Sequence, residues 1–551
     1  MKEKIGISIG TVVGNTSPQE FKFYLKRYQA KLGDLVCVQM EIPHKESTTE
    51  VIVWGRIIEL QRYNPFLPAE AGPELADEGL DLLDTVLSNS RDQIEGVVLV
   101  LGRTAKDDLT KMVPLNYPVQ PGAEVRLPPA NTVKMILTGD EKTHRLRLGT
   151  LIGRDDVEVS LKTNRIVARH MAILAMTGGG KTVASRRVIR ELMKCKYPLI
   201  IFDPHGDYLG LWKHRSKFEG SDIQLFYPSI KVNEENRDVI SFLIKEMTQG
   251  FSDAQKEAYL NAIEKIKIDE KHEKNIKSFI KEVVASIDSD NTIKLTSTKS
   301  AVKRGLRLVN QHMEAMDLSN ERLRKSLSEY PFEPMPDPKT EPEKFVNPGR
   351  ASIIYLGGYD HLTQSTIVSL VLKNLFDERA SMRNKIPPFL SIIEEAHNFI
   401  PSVSEGQSET PSVEIIRKVI TEGRKFGVGL LLISQRPSRL DETTLSQCNT
   451  FLIFRLVNPR DQNFVEKVME NLTKADSKLL PGFGPGQGIV SGQAVRFPLV
   501  IKVDFDDDLV PDSIGDEDFI SAVEKWKSSD QAKANKLSEE FEKELKSKAG
   551  F

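Results

Sequence analysis

The sequence has 551 residues, which exceeds the length of one typical domain and predicts about two to four. Its formal net charge is −2, so the protein is not globally basic, and nucleic-acid binding would need a local basic surface such as a ring or channel. The isolated cysteines argue against a metal site or a disulfide framework; they are Cys37, Cys195 and Cys448. The sequence has no signal-peptide core and no apolar run near the roughly 20 residues that cross a bilayer, so we expect a cytoplasmic protein with no membrane partner.

Residues 1–150 differ from the rest of the chain because short β-type runs recur there between turn residues. This spacing predicts a small antiparallel β-barrel built from Ile5–Val13, Phe21–Tyr24, Leu35–Val38, Val51–Ile57, Val97–Leu101 and Val125–Leu127. An acidic stretch at residues 66–93 interrupts the barrel, and we interpret it as helical. A barrel of this kind could bind nucleic acid, but the sequence lacks the aromatic and basic pattern of a stacking surface. We therefore interpret it as an assembly or docking module.

The apolar run from Met171 to Met176 predicts a buried strand, and a glycine-rich turn and a helix over 183–193 follow it. This order is that of a phosphate-binding loop, whose residues are Thr177, Gly178, Gly179, Gly180, Lys181, Thr182 and Val183. Glycines let backbone N–H groups converge on phosphate oxygens, and the helix directs its positive end at the same place. Lys181 is suited to the β- and γ-phosphates and Thr182 to Mg²⁺. Ala175 stands where the motif has its first glycine.

Two residues near this loop each have two possible roles. Arg169 precedes the phosphate-loop strand and could contact nucleotide from the edge of the site, or be a solvated charge at a strand end. Asp203 ends an apolar run at Phe202, and parallel sheets gather functional groups at the carboxyl ends of their strands. Asp203 could therefore face the nucleotide, or it could only cap the turn that follows.

The middle of the chain has helical periodicity and many charges. Lys181 and the next acidic site, Glu394, are far enough apart to leave room for an inserted region. We interpret residues 235–345 as a helical insertion, with a proline-rich connector over 331–349. The charged stretches of the insertion are interpreted as solvated faces.

A second apolar strand, Phe389–Ile393, delivers two adjacent carboxylates. We assign Glu394 to the Mg²⁺ side, usually through water, and Glu395 to orienting and deprotonating the attacking water. Alone, such a pair would be typical of a helix surface. After a buried strand in a chain with a phosphate loop, it indicates a nucleotide hydrolase. Gln435 follows the next predicted strand, Gly427–Ile433, and could sense the γ-phosphate.

Arg424 is a candidate for stabilising transition-state charge in a neighbouring subunit. We expect the helix Val413–Thr421 to end at Gly423, which would let Arg424 project outward. Arginine suits this role because its planar guanidinium stays protonated. The alternative is a surface ion pair with Glu422.

With these motifs in order, the sequence resembles the HerA family of archaeal DNA translocases. The resemblance rests on the predicted barrel, Arg169-His170 and the phosphate loop, Asp203-Pro204-His205-Gly206, Glu394-Glu395-Ala396-His397, Glu422-Gly423-Arg424-Lys425, Ser434-Gln435-Arg436-Pro437 and Asn458-Pro459-Arg460-Asp461-Gln462. It implies an α/β fold with a RecA-like P-loop core over 151–234 and 346–510, an HAS-like barrel over 1–150 and a charged helical tail over 511–551.

The resemblance further implies an ATPase that uses ATP and Mg²⁺. It implies a homo-hexameric ring, related to the bacterial FtsK chromosome pumps, that moves on double-stranded DNA. Such a ring works with a NurA-type nuclease in end resection and double-strand break repair. Two alternatives stay open: a conjugation or secretion ATPase, and a nucleotide-gated scaffold that loads a nuclease without translocating.

Overall fold

The computed structural model describes residues 5–26, 29–44, 47–64, 93–139, 144–247, 252–290, 296–381, 385–402, 410–469 and 472–506. The predicted charged tail over 511–551 lies outside the described residues. So does the predicted acidic helical stretch, apart from Gln93, which begins a strand.

Six antiparallel strands close the predicted N-terminal barrel in the order β1-β2-β5-β4-β3-β6. They are β1 (Ile7–Val13), β2 (Glu20–Leu25), β3 (Leu35–His44), β4 (Ser47–Tyr63), β5 (Gln93–Ala105) and β6 (Glu124–Leu127). Strand β2 shows why the pattern folds this way, since Phe21, Phe23 and Leu25 alternate with exposed residues and fill the interior. The barrel predicted from the spacing is confirmed.

The outer face of β4 packs on the second sheet, so its middle loses the alternation. Trp54 and Ile52 belong to the same buried cluster as strand residues of the second sheet. The Arg56 guanidinium pairs with the Asp476 carboxylate across this junction, and both side chains are almost fully buried. Breaking a buried pair by removing one partner costs about 3–5 kcal/mol, so this contact strongly fixes where the barrel sits.

The second sheet has twelve strands in the order β12-β11-β13-β10-β14-β15-β9-β16-β17-β18-β7-β8. They are β7 (Arg145–Leu151), β8 (Arg154–Lys162), β9 (Met171–Leu174), β10 (Leu199–Asp203), β11 (Asp222–Tyr227), β12 (Glu333–Pro334), β13 (Arg350–Tyr355), β14 (Phe389–Ile393), β15 (Val428–Ser434), β16 (Thr450–Ile453), β17 (Gln487–Gly492) and β18 (Leu499–Val503). The run from β12 to β16 is parallel, and the strands beyond it pair antiparallel. Strand β7 belongs to this sheet although it begins before residue 150.

Helices cover both faces of the parallel strands, which is why these strands read as continuous apolar runs. The helices are α1 (Ala130–Thr138), α2 (Thr163–Val167), α3 (Lys181–Lys194), α4 (Leu209–Lys213), α5 (Val239–Met247), α6 (Asp253–Glu264), α7 (Glu270–Lys274), α8 (Ile276–Ser289), α9 (Thr296–Ser326), α10 (His361–Ala380), α11 (Val413–Phe426), α12 (Glu442–Ser446), α13 (Pro459–Val468) and α14 (Lys474–Leu479). In β9, Met171 and Ile173 pack on the α3 side, and Ala172 and Leu174 on the side of α5 to α11. The α/β fold with inserted helices is confirmed. No helix in the described ranges is long and apolar enough to cross a membrane.

The predicted end of the Arg424 helix at Gly423 is wrong. Helix α11 continues to Phe426 and is capped by Gly427, whose φ of 72° favours glycine. Gly423 is instead buried within the helix, where an added Cβ would lie 2.3 Å from the Val428 carbonyl oxygen. That glycine permits a close approach of α11 to β15, and Arg424 lies in the last turn of the helix.

Candidate functional site

The phosphate loop lies between the central strand β9 and helix α3, as predicted. Gly178 and Gly180 have φ values of 76° and 107°, which glycine adopts without steric cost. The N–H of Gly486 contacts the Gly179 carbonyl at 3.3 Å, so a second glycine turn supports the loop from behind. Ala175 is fully buried, and its N–H donates to the Ser434 carbonyl at 3.2 Å as a continuation of the strand. Its methyl group is therefore accommodated beneath the loop.

The loop is open where phosphate would bind. An added Cβ on Gly178 would meet no atom within 4 Å. Thr177 is exposed at the start of the turn, and Thr182 and Val183 are half-buried in the first turn of α3. The free N–H groups of that turn and the helix dipole favour an anion here.

Lys181 meets both predicted glutamates, which are more than 200 positions away in sequence. Its Nζ lies 2.5 Å from Glu394 Oε1 and 2.6 Å from Glu395 Oε1, and all three side chains are buried. Glu395 adopts φ 50° and ψ 47°, a left-handed conformation that is costly for a residue with a Cβ. Successive side chains of a regular strand point to opposite faces, so this turn lets both carboxylates reach Lys181.

Gln435 extends the network from the carboxyl end of β15. Its Nε2 donates to Glu395 Oε1 at 2.5 Å, and its Oε1 accepts from Thr177 Oγ1 at 2.5 Å. His397 Nδ1 lies 3.3 Å from Glu395 Oε2 and 3.1 Å from Ser434 Oγ. Sequence reasoning noted His397 only as part of a motif. Its position two residues beyond Glu395 in a tight turn is the signal that could have identified it.

The charges of the site support a base at Glu395. Burial raises the pKa of Glu394, although the charge of Lys181 opposes this. Burial would also raise the pKa of Glu395, but the charge and hydrogen bond of Lys181, with smaller contributions from His397 and His205, together lower that pKa. Glu395 therefore stays a carboxylate at neutral pH, which a general base requires.

Asp203 has the contacts of the turn-capping alternative. Its Oδ1 accepts the N–H groups of His205, Gly206 and Asp207 at 2.7–3.2 Å, and its Oδ2 accepts that of Tyr208 at 3.0 Å. Complete burial raises the pKa of Asp203 to about 7. Asp203 thus holds the turn after β10 in shape.

Arg169 and Arg424 lie at the opposite, amino-end edge of the sheet. Arg169 precedes β9, and its Nη1 donates to Gln493 Oε1. Its pKa is lowered by slight burial and by the neighbouring charges of Arg424 and Arg165, which shows that the three guanidinium groups are close. Arg424 is exposed, and no ion pair joins it to Glu422 or to any other described residue. Neither Arg169 nor Arg424 reaches the site of its own chain.

The residues present fit a magnesium nucleotide. The Thr182 hydroxyl lies in the first helical turn, and Glu394 Oε1 has no hydrogen-bond partner, only the ion pair with Lys181. Such a site needs few protein ligands, because Mg²⁺ keeps several waters and takes oxygens from the phosphates.

Residues 146–375 match the family model described as the central domain of helicase HerA. The chain is 28% identical over 545 residues to a probable helicase of Methanocaldococcus jannaschii, covering 95% of this chain and 96% of that protein. It is 28% identical over 452 residues to the DNA double-strand break repair helicase HerA of Pyrococcus furiosus, covering 75% and 78%. A probable DNA double-strand break repair helicase HerA of M. jannaschii is 29% identical over 472 residues, covering 78% and 89%. These matches confirm the resemblance drawn from the motifs.

Proposed function

We propose that this chain is a P-loop ATPase of the HerA helicase family and acts as a hexameric motor that translocates on double-stranded DNA. It would work in the cytoplasm with a NurA-type nuclease in end resection and double-strand break repair. The observation that carries the proposal is the contact of buried Lys181 with Glu395, joined by half-buried Gln435, at the mouth of the phosphate loop. This cluster is suited to hydrolysing a nucleoside triphosphate.

Hydrolysis follows from the contacts of these side chains. Entering phosphates compete with Glu394 and Glu395 for Lys181, whose ammonium group then turns to the β- and γ-phosphates. This frees Glu395 to accept a proton from the attacking water, while Gln435 and Thr177 bridge from Glu395 to the loop. Mg²⁺, held by the Thr182 hydroxyl and on the Glu394 side through water, would neutralise charge that develops on the phosphates.

The proposal of a ring is supported by the positions of charged side chains at the two opposite edges of the parallel strands. Lys181 and the glutamates lie at the carboxyl edge of the parallel strands, and Arg424 and Arg169 lie at the amino edge. A second copy that stacks its amino edge against the nucleotide edge of the first would bring arginine to the γ-phosphate. Six copies would close such a head-to-tail contact into a ring.

The scaffold alternative differs from the motor in how hydrolysis responds to DNA. The test measures ATP turnover with and without blunt-ended duplex DNA over a range of salt concentrations. A motor turns over faster with DNA, and the stimulation falls with salt because backbone contacts release counterions. An ATP turnover rate that is the same with and without DNA, in a protein that still recruits a nuclease, would favour the scaffold. A conjugation or secretion ATPase would instead need a membrane component for full activity.

We further propose that the nuclease docks on the barrel, whose surface exposes large apolar side chains. Ile7 on β1 is 62% exposed and lies beside an apolar recess at Leu127 and Pro128. Ile7→Asp is expected to weaken nuclease binding by about tenfold, since a buried interface anchor typically contributes more than 1 kcal/mol. The measurement is nuclease affinity by titration calorimetry.

The matched control is Leu318→Asp on α9, a side chain that is 57% exposed and far along the chain from the barrel. It should leave nuclease affinity unchanged, and neither variant should alter ATP affinity. Equal nuclease binding by wild type and Ile7→Asp would show that this face of the barrel is not the docking site.

A further inference from the structure

Tyr208 connects the phosphate-loop helix to the predicted metal-side glutamate. Its hydroxyl lies 2.5 Å from Glu394 Oε2 and 2.8 Å from Ser185 Oγ, and Ser185 is on α3 one turn after Thr182. A phenol has one proton to give, and an ionised carboxylate can only accept. The phenol therefore donates to Glu394. Ser185 Oγ lies within hydrogen-bond distance of the phenol and donates to the Thr182 carbonyl at 3.0 Å, so these contacts link α3 through Tyr208 to Glu394.

The three side chains of this hydrogen-bonded group are completely buried. Tyr208, Ser185 and Glu394 are each 0% exposed, so water does not replace a lost partner without rearrangement. Glu394 Oε1 faces Lys181, and Tyr208 supplies the hydrogen bond to Oε2 among the described residues. The two contacts together determine how the carboxylate is turned. An unsatisfied buried acceptor costs about 1–3 kcal/mol, so this orientation is strongly preferred.

The segment that carries Tyr208 is itself held in place. Asp203 accepts four successive backbone N–H groups of the turn, the last from Tyr208. The ring of Tyr208 packs in the same buried cluster as Val188 of α3 and Ile392 of β14. The function of Asp203 is thus one step removed from the nucleotide, through the position of Tyr208.

We propose that Tyr208 is the positioning residue for Glu394, and that its hydroxyl fixes the carboxylate so that Oε1 faces Lys181, on the side where Mg²⁺ would bind. The inference rests on the proposed function, because it takes Glu394 as the metal-side carboxylate. Groups that orient a ligand of a metal typically contribute 10- to 100-fold in metal affinity or activity.

The test is Tyr208→Phe, which keeps the ring and removes only the hydroxyl. We expect kcat to fall about 10- to 100-fold while KM for ATP changes only a few-fold. In binding experiments with a non-hydrolysable ATP analogue, the Mg²⁺ concentration for half-maximal effect should rise about tenfold. Analogue affinity without Mg²⁺ should stay the same.

The matched control is Tyr259→Phe, another fully buried tyrosine, on α6 of the insertion. It should leave both kcat and the Mg²⁺ dependence unchanged. Ser185→Ala removes the second polar contact of the Tyr208 hydroxyl and should shift the Mg²⁺ dependence in the same direction by a smaller factor. It serves as the test if Tyr208→Phe does not fold.

A Tyr208→Phe protein with wild-type kcat and Mg²⁺ dependence would overturn the inference, even if its melting temperature fell. If wild type hydrolyses ATP and responds to DNA while Tyr208→Phe behaves normally, only this inference fails. If wild type hydrolyses no ATP, the proposed function fails with it.

Discussion

Replacing Glu395 with glutamine is expected to lower ATP turnover by about 10²- to 10⁴-fold, because the amide cannot accept the proton of the attacking water. The amide oxygen can still accept from Gln435, so the geometry around the loop should persist. ATP affinity should not fall, since the substitution also removes one of the two carboxylates that hold Lys181. Steady-state turnover and equilibrium binding of ATP measure the two effects separately.

Lys181→Ala is expected to lose both ATP binding and turnover, because it removes the cation that contacts the phosphates. Glu257→Gln, an exposed glutamate on α6, is the matched control for the loss of one negative charge and should behave as wild type. Near-normal turnover in Glu395→Gln would remove Glu395 from the role of base.

Replacing Arg424 with alanine is expected to reduce turnover by on the order of 10³-fold with assembly unchanged. The reason is geometric. Arg424 lies in the last turn of α11, before β15 begins, and the phosphate loop follows the other end of the adjacent parallel strand β9. Arg424 can therefore serve only the site of another copy. Lys425→Ala, which alters the next exposed cation on the helix, is the matched control and should retain activity.

Mixing tests whether the arginine acts between subunits. Arg424→Ala and Lys181→Ala proteins should each be inactive alone. Mixed rings contain junctions with an intact Lys181 on one side and an intact Arg424 on the other, so a fraction of ATPase activity should return. An Arg424→Ala protein that hydrolyses ATP at the wild-type rate, with assembly unchanged, would contradict the role of Arg424.

Local pattern predicted the elements, while long-range contacts decided their details. The recurring short β-type runs predicted the barrel, and the apolar runs of β9 and β14, interrupted only by Ser391, predicted the buried strands of the second sheet. The helix end at Gly423 was mispredicted because, in a sequence, a glycine that lets a helix pack closely cannot be told from a glycine that ends a helix. Only the neighbouring Val428 carbonyl distinguishes the two cases.

The site was predicted where a motif carries its own chemistry, and missed where a contact depends on the fold. Lys181, Glu394 and Glu395 were identified from the phosphate loop and a strand that ends in carboxylates. Tyr208 was not, because its partner Glu394 is 186 positions away and a tyrosine after a tight turn has no distinctive signal. Asp203 was assigned two readings, and its four backbone contacts favour the cap.

Displacement of a third strand from linear duplex DNA tests the central claim, that ATP hydrolysis moves this protein along double-stranded DNA. A ring that translocates strips a triplex-forming strand from the duplex when ATP is present, and the signal is release of a labelled third strand. The account predicts ATP-dependent release by wild type and none by Glu395→Gln, although both bind ATP. ATP hydrolysis by wild type without any release of the third strand would contradict it.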